Sequence, residues 1–139
     1  MSSMFKIFDI AGSAMNAQSL RLNVTASNLA NAGSVNGDPA KVYRAKQPVF
    51  STFGAALERQ AGVAGVRVTD IVEGGAPLTR QHRPDHPDAD ENGMVYVSNV
   101  NTVEEMVNMM SASRSYRNNV ELINTAKDLL LQTLSLGNG

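Results

Sequence analysis

Residues 8–29, FDIAGSAMNAQSLRLNVTASNL, place Phe8, Met15, Leu22 and Leu29 at intervals of seven. An apolar side chain every seven positions keeps one seam facing a partner helix as the two wind about each other. Met4 and Ala11 supply interleaved positions, while Gln18 and Thr25 weaken that second row. The spacing predicts a helix from about Ser3 to Asn31, ended by Gly33, a residue that tolerates the left-handed conformation found just past helix ends. The opposite end of the chain repeats the pattern. In residues 103–136, VEEMVNMMSASRSYRNNVELINTAKDLLLQTLSL, the sevenfold row is Met109, Tyr116, Ile123 and Leu130. Met106, Val120 and Leu134 form its companion row, with Ser113 and Lys127 as exceptions. Thr102 followed by Glu105 reads as a capping box, Glu104 and Glu105 suit the positive end of a helix dipole, and Gly137 closes the pattern. At ~1.5 Å per residue the two helices are about 42 and 50 Å long, enough to pair over most of the shorter one.

Between them the period changes. Val66-Arg67-Val68-Thr69-Asp70-Ile71 alternates apolar and polar, as a half-buried strand does. Gly74-Gly75 marks a turn, and Leu78–Gln81 and Met94–Val97 read as short strands. Tyr43–Phe50 reads as extended, with Pro48 favouring a sheet edge. Ala32–Pro39 and Pro84–Asn92 read as loops. The expected fold is therefore α+β: an antiparallel, coiled-coil-like pair of N- and C-terminal helices with a small antiparallel β domain inserted between them. The boundaries are 1–36 plus 101–139 for a discontinuous helical domain and 37–100 for the β domain.

The 139 residues are 42% apolar but only 5% aromatic with no Trp, so the core must rest on aliphatic side chains and Met. A formal charge of -1 gives no electrostatic basis for binding nucleic acid. The absence of Cys excludes thiol catalysis, disulfides and Cys-ligated zinc. No basic start followed by an unbroken apolar run marks a secretory signal, since Asp9 interrupts after Phe8, and no stretch is long enough to span a membrane.

Charge is unusually sparse at the N-terminal end. Residues 1–33 carry only Lys6, Asp9 and Arg21, and the remaining polar positions are Asn, Gln, Ser and Thr. A helix facing bulk water normally has a charged outer face, whereas interface cores are depleted in charge. These residues are mediocre helix formers, and Gly12 adds to the cost, so the segment is marginal as an isolated helix. The same stripes would also serve as the core of an ordinary monomer. Low charge and the matching of opposite chain ends favour packing against neighbouring subunits.

Ser27-Asn28-Leu29-Ala30-Asn31-Ala32 resembles the block shared by the axial proteins of the bacterial flagellum. Tyr43-Arg44-Ala45-Lys46-Gln47-Pro48-Val49-Phe50, His86-Pro87-Asp88-Ala89-Asp90 and Asn99-Val100-Asn101 extend the likeness. So do Glu104-Glu105-Met106-Val107-Asn108-Met109, Ser111-Ala112-Ser113-Arg114-Ser115-Tyr116 and Asn124-Thr125-Ala126-Lys127 within the last helix. Together they resemble the proximal-rod members of that family over nearly the whole chain. The resemblance implies a non-enzymatic subunit of the basal-body rod, without cofactors, exported through the flagellar type III apparatus without signal cleavage. It implies helical assembly in the periplasm with copies of itself and other rod proteins, the terminal helices lining the tube and the β domain outside. The residues expected at the assembly interface are Phe8, Met15, Leu22, Asn28, Leu29, Asn31, Met109, Tyr116, Val120, Ile123, Leu130 and Leu134. Asn28 and Asn31 are expected to bond backbone groups at the helix end or on a neighbour, with left-handed helix termination an equal alternative for Asn31.

Other constellations are weaker. Asp88-Ala89-Asp90-Glu91-Asn92-Gly93 has the first half of a calcium loop, but the twelfth position is Asn99 in place of the bidentate Glu, so an acidic turn between strands is the better account. His82 and His86 are four apart, but Pro84 between them opposes the helix that would align them. Two competing functions stay open at this level. One is a binding module whose β domain captures a ligand or cell-wall component while the helices oligomerise it. The other is a small enzyme using the Asp85–Glu91 cluster. The seam assignment carries a direct test: Leu29→Asp puts an unpaired charge into it and should leave cells carrying only that variant non-motile on soft agar.

Overall fold

The computed structural model describes the backbone of residues 2–53 and 64–137, and their side chains apart from Ser2, Ser3, Met4 and Phe53. The element order is α1 (Ser2–Ala30), β1 (Val35–Asn36), β2 (Lys46–Phe53), β3 (Gly65–Glu73), β4 (Thr79–His82), β5 (Met94–Val97) and α2 (Thr102–Gly137). The chain is α+β, with the two long helices at its ends and antiparallel sheets between them.

The helices run antiparallel: Arg21 reaches Asn108 while Thr25, one turn on, sits beside Glu105, one turn back. The residues most deeply covered are small. Ala11, Ala17, Val24, Thr25 and Asn28 are buried on α1, and Glu105, Ala112 and Ala126 on α2. The alanines Ala11, Ala17, Ala112 and Ala126 let two backbones approach closely, and larger side chains then flank the contact line. Phe8, Met15, Leu22 and Leu29 accordingly lie half-buried beside it, as do Met109, Tyr116 and Ile123, with Leu130 half-buried beyond them. Two features of the expected seam are corrected. Thr25 belongs to its buried line, and the companion row on α2 is Glu105, Ala112 and Ala126, one position before the one expected. Met106 is 56% exposed and Leu134 46% exposed. The side chain of Met4 lies outside the described residues.

α2 outruns its partner. Counting back from Arg21 opposite Asn108, Ser2 comes level with about residue 127, so about ten residues at the end of α2 have no part of α1 to face. Leu129, Leu131, Leu134 and Leu136 are exposed there.

Among the described residues the β strands form two sheets, where a single unit was expected. One is three-stranded in the order β1-β5-β4, and the other pairs β2 with β3. β1 lies within the segment read as a loop; it pairs Val35 with Val97 and Asn36 with Tyr96. β2 starts at Lys46, so Tyr43-Arg44-Ala45 precede it, and its partnership with β3 alone suits Pro48, which has no N–H to donate. The register passes from Val49↔Asp70 to Phe50↔Val68, leaving Thr69 as the extra residue of a bulge, its hydroxyl donating to Val49 O at 3.3 Å. This sheet packs on α1, and the Val66 N–H donates to Ser13 Oγ at 3.1 Å.

Both helix ends differ in detail from expectation. Asn101, not Thr102, caps α2: its Oδ1 accepts from the N–H groups of Val103 (3.1 Å) and Glu104 (3.3 Å). Gly33 does not adopt a left-handed conformation; among the described residues only Gly93 has positive φ, at 69°. α1 instead closes on a tight turn, with the Asn31 N–H shared between Ser27 O and Asn28 O and the Ala32 N–H bonded to Leu29 O.

Gly37 is the tightest point between α1's exit and the β4–β5 connection. A Cβ there would stand 2.5 Å from Asp88 O and 2.9 Å from Asp90 N, both backbone atoms held by their own turn. Gly37→Ala should therefore destabilise the monomer by about 1–3 kcal/mol, read from the urea midpoint.

Candidate functional site

Where the chain leaves α1, enters β2, leaves β3 and enters α2, four segments meet, and two asparagines hold them. Asn28 is 0% exposed. Its Nδ2 donates to Lys46 O at 2.8 Å, and its Oδ1 accepts from the Lys46 N–H and the Tyr43 hydroxyl, each at 2.9 Å. A primary amide carries one carbonyl and one N–H donor pair, as a peptide does, so Asn28 meets both backbone groups of Lys46 as a neighbouring strand would. Asn99 does the same from the other side: the Ala45 N–H donates to its Oδ1 at 2.8 Å, and its Nδ2 donates to Ala76 O at 2.8 Å and Gly74 O at 3.3 Å. The Gly74 N–H closes the group on Ala45 O at 2.6 Å. Tyr43 adds a contact to Ser27 Oγ at 3.2 Å, and the Lys46 ammonium lies over its ring, 5.6 Å from the centroid.

The twelve residues expected at an assembly interface occupy three settings. Asn28 is in this junction. Asn31 donates from Nδ2 to Ser27 O at 2.8 Å, capping α1 through its side chain, without the left-handed conformation. Phe8, Met15, Leu22, Leu29, Met109, Tyr116, Val120 and Ile123 line the flanks of the helix pair half-buried, while Leu130, half-buried, and Leu134, exposed, lie on the overhang of α2. In the sequence Asn99 stands out only in a resemblance and as the misfit at the twelfth position of a calcium loop, with no structural role assigned to it. Its signal was an Asn just before a predicted helix, which reads equally well as a cap.

The acidic segment is a turn joining β4 to β5. Asp90 Oδ1 accepts from the N–H groups of Asn92 (2.9 Å) and Met94 (2.8 Å), and Gly93 takes the left-handed position that this turn requires. His86 Nδ1 accepts from the Asp88 N–H at 3.1 Å, so His86 is spent on the same loop. Among the described residues no group of three or more His, Asp or Glu is gathered for a metal ion, and no described helix is long and apolar enough to cross a membrane.

Asn28→Ala leaves the Lys46 N–H and C=O and the Tyr43 hydroxyl without their partner and should cost about 2–4 kcal/mol in unfolding free energy, whereas Tyr43→Phe, which deletes one of those bonds, should cost about 1 kcal/mol.

Comparison with known proteins agrees at both ends of the chain. The family described as "Flagella basal body rod protein" matches residues 8–37, and "Flagellar basal body rod FlgEFG protein C-terminal" matches residues 91–136. The flagellar basal-body rod protein FlgC of Escherichia coli O6:H1 is 53% identical over 135 residues, covering 97% of this chain and 98% of the relative. FlgC of Salmonella typhimurium is 52% identical with the same coverage. FlgC of Buchnera aphidicola subsp. Acyrthosiphon pisum is 43% identical over 96% of this chain and 98% of its own. The Asn28 and Asn99 junction and the small-residue seam are thus the framework of a chain that belongs to the FlgC family of flagellar basal-body rod proteins.

Proposed function

We propose that this chain is a structural, non-enzymatic subunit of the flagellar basal-body rod, and that its two terminal helices join adjoining subunits into a shaft that carries torque. The observation that carries the reading is the apolar surface that the helix pair leaves uncovered. Val103, Met106, Val107 and Met110 recur at helical spacing on the open face of α2, and Leu129, Leu131, Leu134 and Leu136 crowd its unpaired end. Exposed stripes of that kind on a chain this small mark surfaces that meet other protein. The half-buried rows from Phe8 to Leu29 and from Met109 to Leu130 would complete the contact. Close-packed side chains repack only in discrete steps, which gives such an interface stiffness against shear.

The partners are copies of the chain and other rod components. We place the assembly in the periplasm and its passage through the flagellar type III apparatus, without a cleaved signal. Weak intrinsic helix propensity in α1 suits a chain that crosses unfolded and orders on docking.

A strain lacking the gene should make no hook or filament, and the wild-type chain should restore both and copurify with basal bodies. A chain ending at Lys127, which loses the overhang but keeps all of α2 that faces α1, should lose only the ellipticity of the deleted helical residues, keep the monomer's urea midpoint and fail to restore motility. Motility from that truncation would remove the overhang from the interface.

A further inference from the structure

α2 begins with an uncovered apolar face. Val103, Met106, Val107 and Met110 stand three and four residues apart on its first turns, so they share one side of the helix. Two of the four are thioethers, 56% exposed at Met106 and 63% exposed at Met110. The other methionines with described side chains are better shielded. Met15 and Met109 lie half-buried on the flanks of the helix pair, and Met94 lies half-buried on β5.

Exposure decides reactivity here, because the chain has no Cys whose thiolate would take up an oxidant first. A thioether needs neither a base nor a metal to react with hydrogen peroxide. A sulfur lone pair takes one oxygen, the O–O bond breaks, and the other oxygen leaves as water; sulfur loses two electrons and the peroxide gains them. The product changes the face that carries it. A sulfoxide puts a strong dipole and a hydrogen-bond acceptor where an apolar atom stood, and the neighbouring Val103 and Val107 side chains offer it no donor. In water that oxygen is solvated at no cost to the monomer. Buried against another protein it is left unpaired.

We propose that Met106 and Met110 form a peroxide-sensitive modification site, whose conversion to sulfoxides in the free subunit bars that subunit from the rod. The assembly half of this proposal rests on the reading of the chain as a rod subunit whose adjoining subunits cover the face; the order of oxidation in the free chain does not.

Purified chain in dilute hydrogen peroxide, sampled over time and mapped by tandem mass spectrometry, should gain oxygen at Met106 and Met110 at least about fivefold faster than at Met15, Met94 and Met109, with an unchanged urea midpoint. Equal rates at all five overturn the site. In purified basal bodies the same treatment should oxidise Met106 and Met110 roughly tenfold more slowly than in the free chain, and an undiminished rate overturns their coverage. In cells, Met106→Gln/Met110→Gln sets a polar side chain of similar length, and a good helix former, where each sulfoxide would stand. Its incorporation into basal bodies should fall roughly tenfold while its urea midpoint holds, whereas Met106→Leu/Met110→Leu, apolar and of similar volume, should incorporate normally. Full incorporation of the Gln variant, an equal failure of the Leu variant, or a lowered midpoint that makes the loss one of folding overturns the proposal. Absence of the unsubstituted chain from basal bodies would overturn the rod reading itself, and the assembly half with it, whatever the order of oxidation in the free chain.

Discussion

The structure hangs on the amide of Asn28. A helix and a sheet edge have no common hydrogen-bond ladder, so a helix can approach the start of a strand only if something satisfies the strand's free backbone groups. Asn28 does so with one side chain, meeting the N–H and the C=O of Lys46 and the hydroxyl of Tyr43. Asn99 repeats the device on Ala45 and the exit from β3. Because the two asparagines sit at the end of α1 and just before α2, they fix the spacing and direction of both helices against the sheets. Every buried polar atom in that group has a use, so the junction tolerates little movement.

With that junction set, the helices pair through small residues. Ala11, Ala17, Ala112 and Ala126 bring the backbones close and bury little area themselves. The larger Leu, Met, Val and Phe side chains are pushed to the flanks and to the free end of α2, where one copy of the chain leaves them partly or wholly in water; Leu136 is 83% exposed. A monomer built this way is held together by its junction and its sheets, and has apolar surface to spare along its helices. That division fits a subunit whose helices complete their packing in a polymer.

Much of this architecture was legible beforehand. The sevenfold rows located both helices, the alternation from Val66 to Ile71 located β3, and Met94–Val97 was read with its observed bounds as β5. The finer choices were not. Thr25 was read as a flaw in the seam and lies in its centre, because a β-branched side chain of modest size fits where backbones are close. Asn101 and Thr102 are adjacent and both able to cap, and only the path of the preceding loop selects Asn101. β1 is two residues long, too short for any period, and exists because β5 offers it an edge.

The sequence by itself determined what is periodic or local: two long terminal helices, strands between them, an acidic turn before β5 and a charge-poor N-terminal segment. Tertiary structure alone decided which side of each stripe is innermost, how the strands divide into two sheets, and what Asn28, Asn99 and Gly37 are for. The physical reason is separation along the chain. Asn28 and Lys46 are 18 residues apart, and Ala45 and Asn99 are 54 apart. A polar side chain shows in the sequence that it can bond, but its partner is chosen only when folding brings distant backbone groups within reach.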